Sequence, residues 1–377
     1  MNRFTLDVTP VMQRPSGMGL YVVNLIQGLM QVAEQEAFEL QLAYQPRLGR
    51  WLRADLTPPP ALQSVPNLRV FPVPVRLSNL WLRYPIAFHP RVEQWFGQPD
   101  LVHGTNYSVF PFRHSRRVMT LYDLTFMRYP QFTHQVVKTY THQVKRCLRW
   151  TDGIITISES SKRDIVEFLG VPSDRVFVTP LASRYSIPDP TLENPWQKPY
   201  LLFVSTIEPR KNVVGLIQAF NALKAQNGIE HDLILIGQKG WLYESVFNAI
   251  AQSPYRDSIH HLSYLPDAQV MAFYQFADVF VYPSYYEGFG LPVLEAMTLG
   301  APVVTSHTAS LPEVAGLAAL LINPYDIAAM ATAISKVISD RAFRQQLRDR
   351  GYEQAKKFSW LKTAKKTIAT YHQILSG

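Results

Sequence analysis

The sequence holds a single cysteine, Cys147, so it can form neither an intrachain disulfide nor a thiolate metal cluster. That usage points to a cytosolic protein. No apolar run reaches transmembrane length. The opening residues, Met1-Asn-Arg-Phe-Thr-Leu-Asp7, do not read as a signal peptide, because the apolar stretch is short and carries an acid. No Asp-x-Asp pair occurs, so no dedicated metal clamp is expected, and no cofactor. No nucleic-acid motif is recognisable, so no nucleic-acid partner is expected either. Acid is scarce in one half only: residues 1–185 carry 21 Lys+Arg against 13 Asp+Glu, and the remainder 16 against 16. The whole excess of +8 therefore lies in the first half, so the two halves are expected to meet different partners.

What is present is a repeated alternation of short apolar runs and helical patterns. At 377 residues the chain has length for two domains. Strands are expected at Phe4–Val8, Phe38–Tyr44, Asp100–His103, Val118–Leu121, Gly153–Ile157 and Val176–Thr179. After the prolines at 188, 190, 195 and 199, they resume at Tyr200–Val204, Leu233–Gly237, His261–Tyr264, Val279–Tyr282, Pro302–Thr305 and Ala319–Ile322. Strand–helix alternation of this kind argues for doubly wound α/β domains. The expected division is 1–185, a linker at 186–199, 200–358, and a closing amphipathic helix at 359–377.

The stretch that organises the chain is Glu287-Gly-Phe-Gly-Leu-Pro-Val-Leu-Glu295. A strand precedes it, two glycines permit a tight turn, and Pro292 suits the first turn of a helix that Gly300 ends. Strand, glycine loop and helix N-terminus make an anion site, with a phosphate as its natural guest. The two carboxylates do not suit a phosphate and are better used on sugar hydroxyls, Glu295 on a ribose diol and Glu287 on a transferred sugar. The bland alternative is a pair of solvated or capping acids.

Glu208-Pro-Arg-Lys-Asn212 places Arg210 and Lys211 at a strand's carboxyl end, where a guanidinium fork and an ammonium point charge suit a diphosphate. Ser16-Gly17-Met18-Gly19-Leu20-Tyr21 repeats strand, glycine loop and helix at the start of the chain. His103 and Asn106, and Tyr122 with Asp123, sit at the carboxyl ends of two further strands, where an open parallel sheet keeps its ligand crevice. A lone histidine there is often structural. Gln135 to Trp150 reads as a basic amphipathic helix. Residues 45–99 are irregular and carry Arg47, Arg50, Trp51 and Arg53, then Arg76, Trp81, Arg83, Arg91 and Trp95. These are either surface arginines beside buried tryptophans or a surface for an anionic membrane or phosphorylated lipid.

Thr206-Ile-Glu-Pro-Arg-Lys-Asn212, the E-x7-E stretch from Glu287 to Glu295, Gly300-Ala-Pro-Val-Val304 and Ser310-Leu-Pro-Glu-Val314 together resemble the retaining, nucleotide-sugar-dependent GT-B glycosyltransferases. The resemblance extends over nearly the whole chain and is weakest at residues 45–99. It implies two Rossmann-like domains, with the donor mainly on the second and the acceptor mainly on the first. It further implies that Arg210 and Lys211 hold the diphosphate, with Ser205 and Glu208 beside them. Glu287 and the amides of Phe289, Gly290 and Leu291 hold the sugar and phosphate, and Glu295 holds the ribose. Gly17 and Gly19 form the amino-terminal glycine loop.

One departure stands out. The family usually carries histidine before the aspartate of its Ile-His-Asp-Leu strand end, where this chain has Leu121-Tyr122-Asp123-Leu124. Tyr122 can hydrogen-bond but carries no charge near neutral pH. The expected activity is transfer of a hexose, mannose from GDP-mannose by preference, to a lipid-linked or polysaccharide acceptor. The expected location is cytoplasmic or peripheral on the membrane's inner face. Alternatives are a UDP-sugar donor, an epimerase or phosphorylase of like architecture, or a non-catalytic sugar-nucleotide-binding homologue.

Overall fold

The computed structural model describes residues 1–13, 17–82, 89–132 and 138–377. Ser16, Arg83 and the first three positions of the expected 135–150 helix lie outside the described residues. Among the described residues there are thirteen strands: β1 (Asn2–Asp7), β2 (Phe38–Tyr44), β3 (Leu68–Val70), β4 (Leu101–Gly104), β5 (Arg116–Thr120), β6 (Gly153–Thr156), β7 (Val176–Val178), β8 (Tyr200–Val204), β9 (Asp232–Ile236), β10 (Ile259–Leu262), β11 (Val279–Tyr282), β12 (Val303–Ser306) and β13 (Ala319–Ile322). They build two separate parallel sheets, in the orders β3-β2-β1-β4-β5-β6-β7 and β10-β9-β8-β11-β12-β13. This is the doubly wound α/β architecture expected twice over. β11 is buried along its whole length, which is why Val279-Phe-Val-Tyr282 reads as an unbroken apolar run rather than an alternating one. β3 was not expected: it is three residues long, exposed at Arg69 and paired only at the sheet edge, so it leaves no apolar signal.

In each sheet the strand order reverses at one place, and that is where ligands bind in open α/β sheets. In the first, β1 lies between β2 and β4, with carboxyl ends at Asp7, Tyr44 and Gly104. In the second, β8 lies between β9 and β11, with carboxyl ends at Val204, Ile236 and Tyr282.

The chain forms two compact units. One comprises Met1–Met127, Gln135–Leu181 and Ser359–Gly377; the other comprises Arg128–His134 and Ala182–Phe358. The proline-rich stretch 186–199 lies wholly within the second unit, where it is fastened by side chains. Asp189 and Gln275 exchange hydrogen bonds of 3.0 and 2.9 Å, and Trp196 Nε1 donates to Asp232 at 2.9 Å. Helix Trp360–Ser376 completes the first unit. Ser359 caps it, accepting from the Lys362 N–H. It packs on helix Met18–Val32 at Gly28, where a Cβ would stand 2.7 Å from the Trp360 carbonyl. The closest approach of the two helices is therefore set by a missing side chain.

Candidate active site

The second unit gathers its charged residues at the reversal between β8 and β11. A 3-10 turn, Pro209–Lys211, follows β8, and Asn212 behind it adopts the left-handed conformation with φ 56°. That turn aims both cations at the loop after β11. Lys211 Nζ donates to Glu287 Oε1 at 2.6 Å and to the Tyr282 hydroxyl at 2.9 Å. Arg210 Nη1 donates to Glu287 Oε2 and to the Tyr286 carbonyl, both at 2.8 Å, while its Nη2 reaches Glu208 at 2.7 Å. Glu208, Lys211 and Glu287 are all buried. Burial alone would raise the Glu287 carboxyl; Arg210 and Lys211 outweigh it and hold it down at about 2. Lys211 stays charged: burial and Arg210 push it down, and Glu287 carries it above its ordinary value. The sequence reading brought these groups to one place but did not foresee that the cations grip Glu287 itself.

The loop that carries Glu287 is held in shape by Ser310, whose hydroxyl is positioned between the Glu287 and Phe289 carbonyls at 2.8 Å from each. Gly290 has φ 107° and would place a Cβ 2.7 Å from Leu311, so only glycine fits without displacement. Helix Leu291–Thr298 follows, with Pro292 in its first turn as the sequence predicts. Ser205 lies at the end of β8, its hydroxyl 3.5 Å from that of Tyr282.

Glu295 lies one turn into this helix and is buried. Arg184 Nε is 3.0 Å from its Oε1, an ion pair without the alignment of a hydrogen bond. The Tyr274 hydroxyl donates to it at 3.4 Å. Burial raises the Glu295 carboxyl to about 7 against the opposing pull of Arg184. Arg184 was not anticipated, since it stands outside every motif. Ser310 was within a recognised motif, but its part in holding the loop leaves no trace in residue type.

In the first unit, the candidates separate into interior and cavity residues. His103 is fully buried, with Nδ1 2.6 Å from the Tyr371 hydroxyl and Nε2 2.6 Å from that of Thr120. Burial pushes its pKa down to about 3, so it stays neutral and both nitrogens are engaged within the fold. The structure thus gives His103 the structural part that a lone histidine often has. Tyr122 is buried edge-on against Tyr21, and its hydroxyl donates to the Thr105 carbonyl at 2.6 Å. Burial keeps its phenol protonated. Asp123 accepts from the Thr125 N–H at 2.9 Å and so opens the short helix Thr125–Arg128. Gly17 takes φ 47° at the start of helix Met18–Val32. Gly19 and Asn106 line a cavity of about 1380 Å³ at the carboxyl ends of β1, β2 and β4. Arg47, Arg50, Arg53 and Arg76 are also among the residues that line it. Trp51 and Trp95, in the same region, are about one-third exposed, at 37% and 36%.

The two halves of the chain match two families. Residues 15–182 match glycosyltransferase family 4, and residues 189–354 match the glycosyl transferases group 1. The chain is 36% identical over 297 residues to the O-antigen chain mannosyltransferase B of Escherichia coli, covering 75% of this chain and 77% of that protein. It is 31% identical over 247 residues to the serotype-specific mannosyltransferase WbdA of Escherichia coli, spanning 60% of this chain but only 29% of that protein's length. Among solved structures, sucrose-phosphate synthase from Thermosynechococcus elongatus matches over 100% of both chains with a TM-score of 0.75 at 19% identity, a likeness of fold. With its two parallel-sheet units and these relatives, the chain belongs to the group 1 glycosyltransferases of GT-B fold and is a hexosyltransferase.

Proposed function

We propose that the chain transfers mannose from GDP-mannose, with retention of anomeric configuration and without a metal ion, to a lipid-linked or polysaccharide acceptor. The observation that carries this reading is the convergence of Arg210, Lys211 and the helix N-terminus at Leu291 on one end of the second sheet. Those groups answer the charge that develops on a leaving diphosphate. Glu287 is placed to trade its grip on the two cations for hydroxyls of the transferred sugar. Glu295 takes the ribose. In a front-face displacement, the bond from the anomeric carbon to the diphosphate oxygen breaks while the acceptor oxygen bonds on the same face. The leaving phosphate takes the acceptor proton, so no second catalytic acid is needed. Tyr122 and Asp123 order the strand end where the resembled family usually has histidine before the aspartate. Mannose is preferred because the relatives at 36% and 31% identity are mannosyltransferases.

The test is turnover of GDP-mannose, UDP-glucose and UDP-galactose in the presence of a chelator, using a membrane extract as acceptor. Transfer from GDP-mannose alone, giving an α-mannoside by NMR, is the expected result. Transfer only from a UDP-hexose would replace the donor, a metal requirement would remove the metal-free mechanism, and a β-linked product would remove retention. Donor binding with no transfer to any acceptor would favour a non-catalytic homologue.

A further inference from the structure

β11 is apolar through Val279, Phe280 and Val281 and ends in a single hydroxyl, that of Tyr282. The Tyr282 ring is fully buried. It lies nearly parallel to Phe203 at 5.8 Å and to Phe280 at 5.7 Å, with interplanar angles of 21° and 17°. Its backbone is tied to β12, where Thr305 Oγ1 donates to the Tyr282 carbonyl at 2.8 Å. Burial, with Glu287 nearby, pushes the phenol up, so it stays protonated. The hydroxyl therefore accepts from Lys211 Nζ at 2.9 Å without cancelling its charge, and gives its own proton towards Ser205 Oγ at 3.5 Å. An ammonium carries three N–H donors. Tyr282 and Glu287 meet two of them, and Glu208 stands 4.0 Å from Nζ, beyond hydrogen-bond reach.

We infer that Tyr282 is a positioning residue for Lys211: its hydroxyl keeps the ammonium aimed at the diphosphate when Glu287 turns to the transferred sugar. The inference rests on the proposed transferase reading and deepens it by naming the partner that stays in place. A lysine is a point charge on a flexible four-carbon stem, so its direction is set by what its N–H groups meet. Without ligand, Glu287 helps to set that direction but also neutralises the charge. Once sugar hydroxyls engage its carboxylate, Tyr282 is the remaining hydrogen-bond partner of Lys211 among the described residues. A neutral acceptor on a stacked ring holds the ammonium in line and leaves its whole charge to the leaving diphosphate. Preorganised stabilisation of a developing charge needs both. Phenylalanine at 282 would keep the stacking with Phe203 and Phe280 and lose only that hold.

The experiment measures dissociation constants by calorimetry on the full chain for GDP, GDP-mannose and inorganic pyrophosphate. The chains compared are native, Tyr282→Phe, Glu287→Ala and the double variant. Tyr282→Phe should weaken GDP, which carries no sugar to draw Glu287 away, by less than about threefold, and GDP-mannose by about tenfold or more, the loss expected when a charged group forfeits a buried hydrogen bond. In the Glu287→Ala background Lys211 has already lost its carboxylate, so adding Tyr282→Phe should weaken GDP itself by about tenfold. A tyrosine that only fills the core would cost every ligand the same factor in both backgrounds, and that result would overturn the proposal. So would a Tyr282→Phe chain that binds GDP-mannose as the native chain does and adds nothing to Glu287→Ala. Where Glu287→Ala does not fold, Glu287→Gln serves as the second background, its amide being a weaker partner for an ammonium. Failure of the donor reading looks different. GDP bound without GDP-mannose would refute the mannose alone, and the Glu287 comparison with GDP then decides. Pyrophosphate bound without GDP would refute the guanosine alone, and the same comparison is read with pyrophosphate. Binding of neither would refute the diphosphate site and the inference with it.

Discussion

At the scale of single residues, the two glutamates of the E-x7-E stretch have opposite electrostatic settings. Glu287 is held at about 2, below its ordinary 4.5, because two cations outweigh the cost of its burial. A carboxyl lowered on folding contributes stability that is present above its unfolded value, near 4.5, and is lost as pH falls toward 2. Glu295 is raised to about 7 from 4.5 because burial outweighs Arg184. A carboxyl raised on folding binds its proton more tightly in the folded chain, so stability falls as pH climbs from about 4.5 through about 7. Glu295→Gln should therefore raise the melting temperature relative to the native chain at pH 8 and leave it nearly unchanged at pH 4. An equal shift at both would show that Glu295 does not titrate in this way. Because ribose hydroxyls donate best to the ionised carboxylate, the native chain's GDP affinity should gain up to about tenfold between pH 6 and pH 8 relative to the Glu295→Gln variant, a comparison in which titration of the ligand cancels.

The same scale holds a less obvious expectation. Arg210, Lys211, Glu208 and Glu287 sum to zero charge, so a diphosphate must compete with Glu287 for the cations. Glu287→Gln keeps the shape and removes the competitor. GDP alone should then bind tighter by roughly threefold to tenfold while transfer falls by 100-fold or more, on the order of the loss of a positioned transition-state contact. Weaker GDP binding in equilibrium dialysis would mean that Glu287 supports the diphosphate site rather than opposing it.

At the scale of elements, most of the site was legible because it is local. Strand, glycine loop and helix follow one another in sequence over residues 279–298, and each leaves its own mark: an apolar run, Gly288 and Gly290, then Pro292. The pairing of Glu287 with Arg210 and Lys211 was not legible, since it joins residues 76 and 77 positions apart and depends on how far β8 and β11 lie from one another. His103 shows the converse. Its place at a strand's carboxyl end was right, but its side chain points into the fold to meet Tyr371, 268 positions away, and no periodicity in the sequence contains that contact. The loop geometry makes its own prediction. Gly290→Ala would place a methyl group against buried Leu311 at a backbone angle that side chains rarely adopt. It should lower unfolding stability by about 1–3 kcal/mol in chemical denaturation and weaken donor binding as the loop shifts. An unaltered denaturation midpoint would show that the loop adapts without cost.

At the scale of the whole molecule, the repeated strand–helix alternation announced two doubly wound units, and each sheet has the strand reversal at which such folds bind ligands. The passage of residues 128–132 into the second unit was not announced, because what fastens it, a stack of aromatic rings and a hydrogen bond from Trp241 Nε1 to the Phe132 carbonyl, joins residues far apart in sequence. Phe132 lies nearly parallel to both Tyr129 and Tyr285, at 5.7 and 5.8 Å. The ends of the chain meet in the first unit, where helix Trp360–Ser376 covers helix Met18–Val32 and Tyr371 seals His103. Removing residues 359–377 would uncover the buried faces of both. Calorimetry of that truncated chain should show the first unit's transition lost or displaced by 10 °C or more, on the order of several kcal/mol, with the second unit's transition retained. An unshifted first transition would mean that the helix adds little to the first unit.

The central claim is that Arg210, Lys211, Glu287 and Glu295 form a nucleoside diphosphate sugar site in the second unit. The most direct measurement is a metal-free thermal-shift titration of the full chain with GDP, UDP, ADP and their common sugars, repeated on Lys211→Ala. The account predicts that GDP and GDP-mannose raise the melting temperature in a concentration-dependent way, more than the uridine and adenine counterparts, and that Lys211→Ala abolishes most of the shift. No response to any nucleotide, or a shift that Lys211→Ala leaves intact, would contradict it.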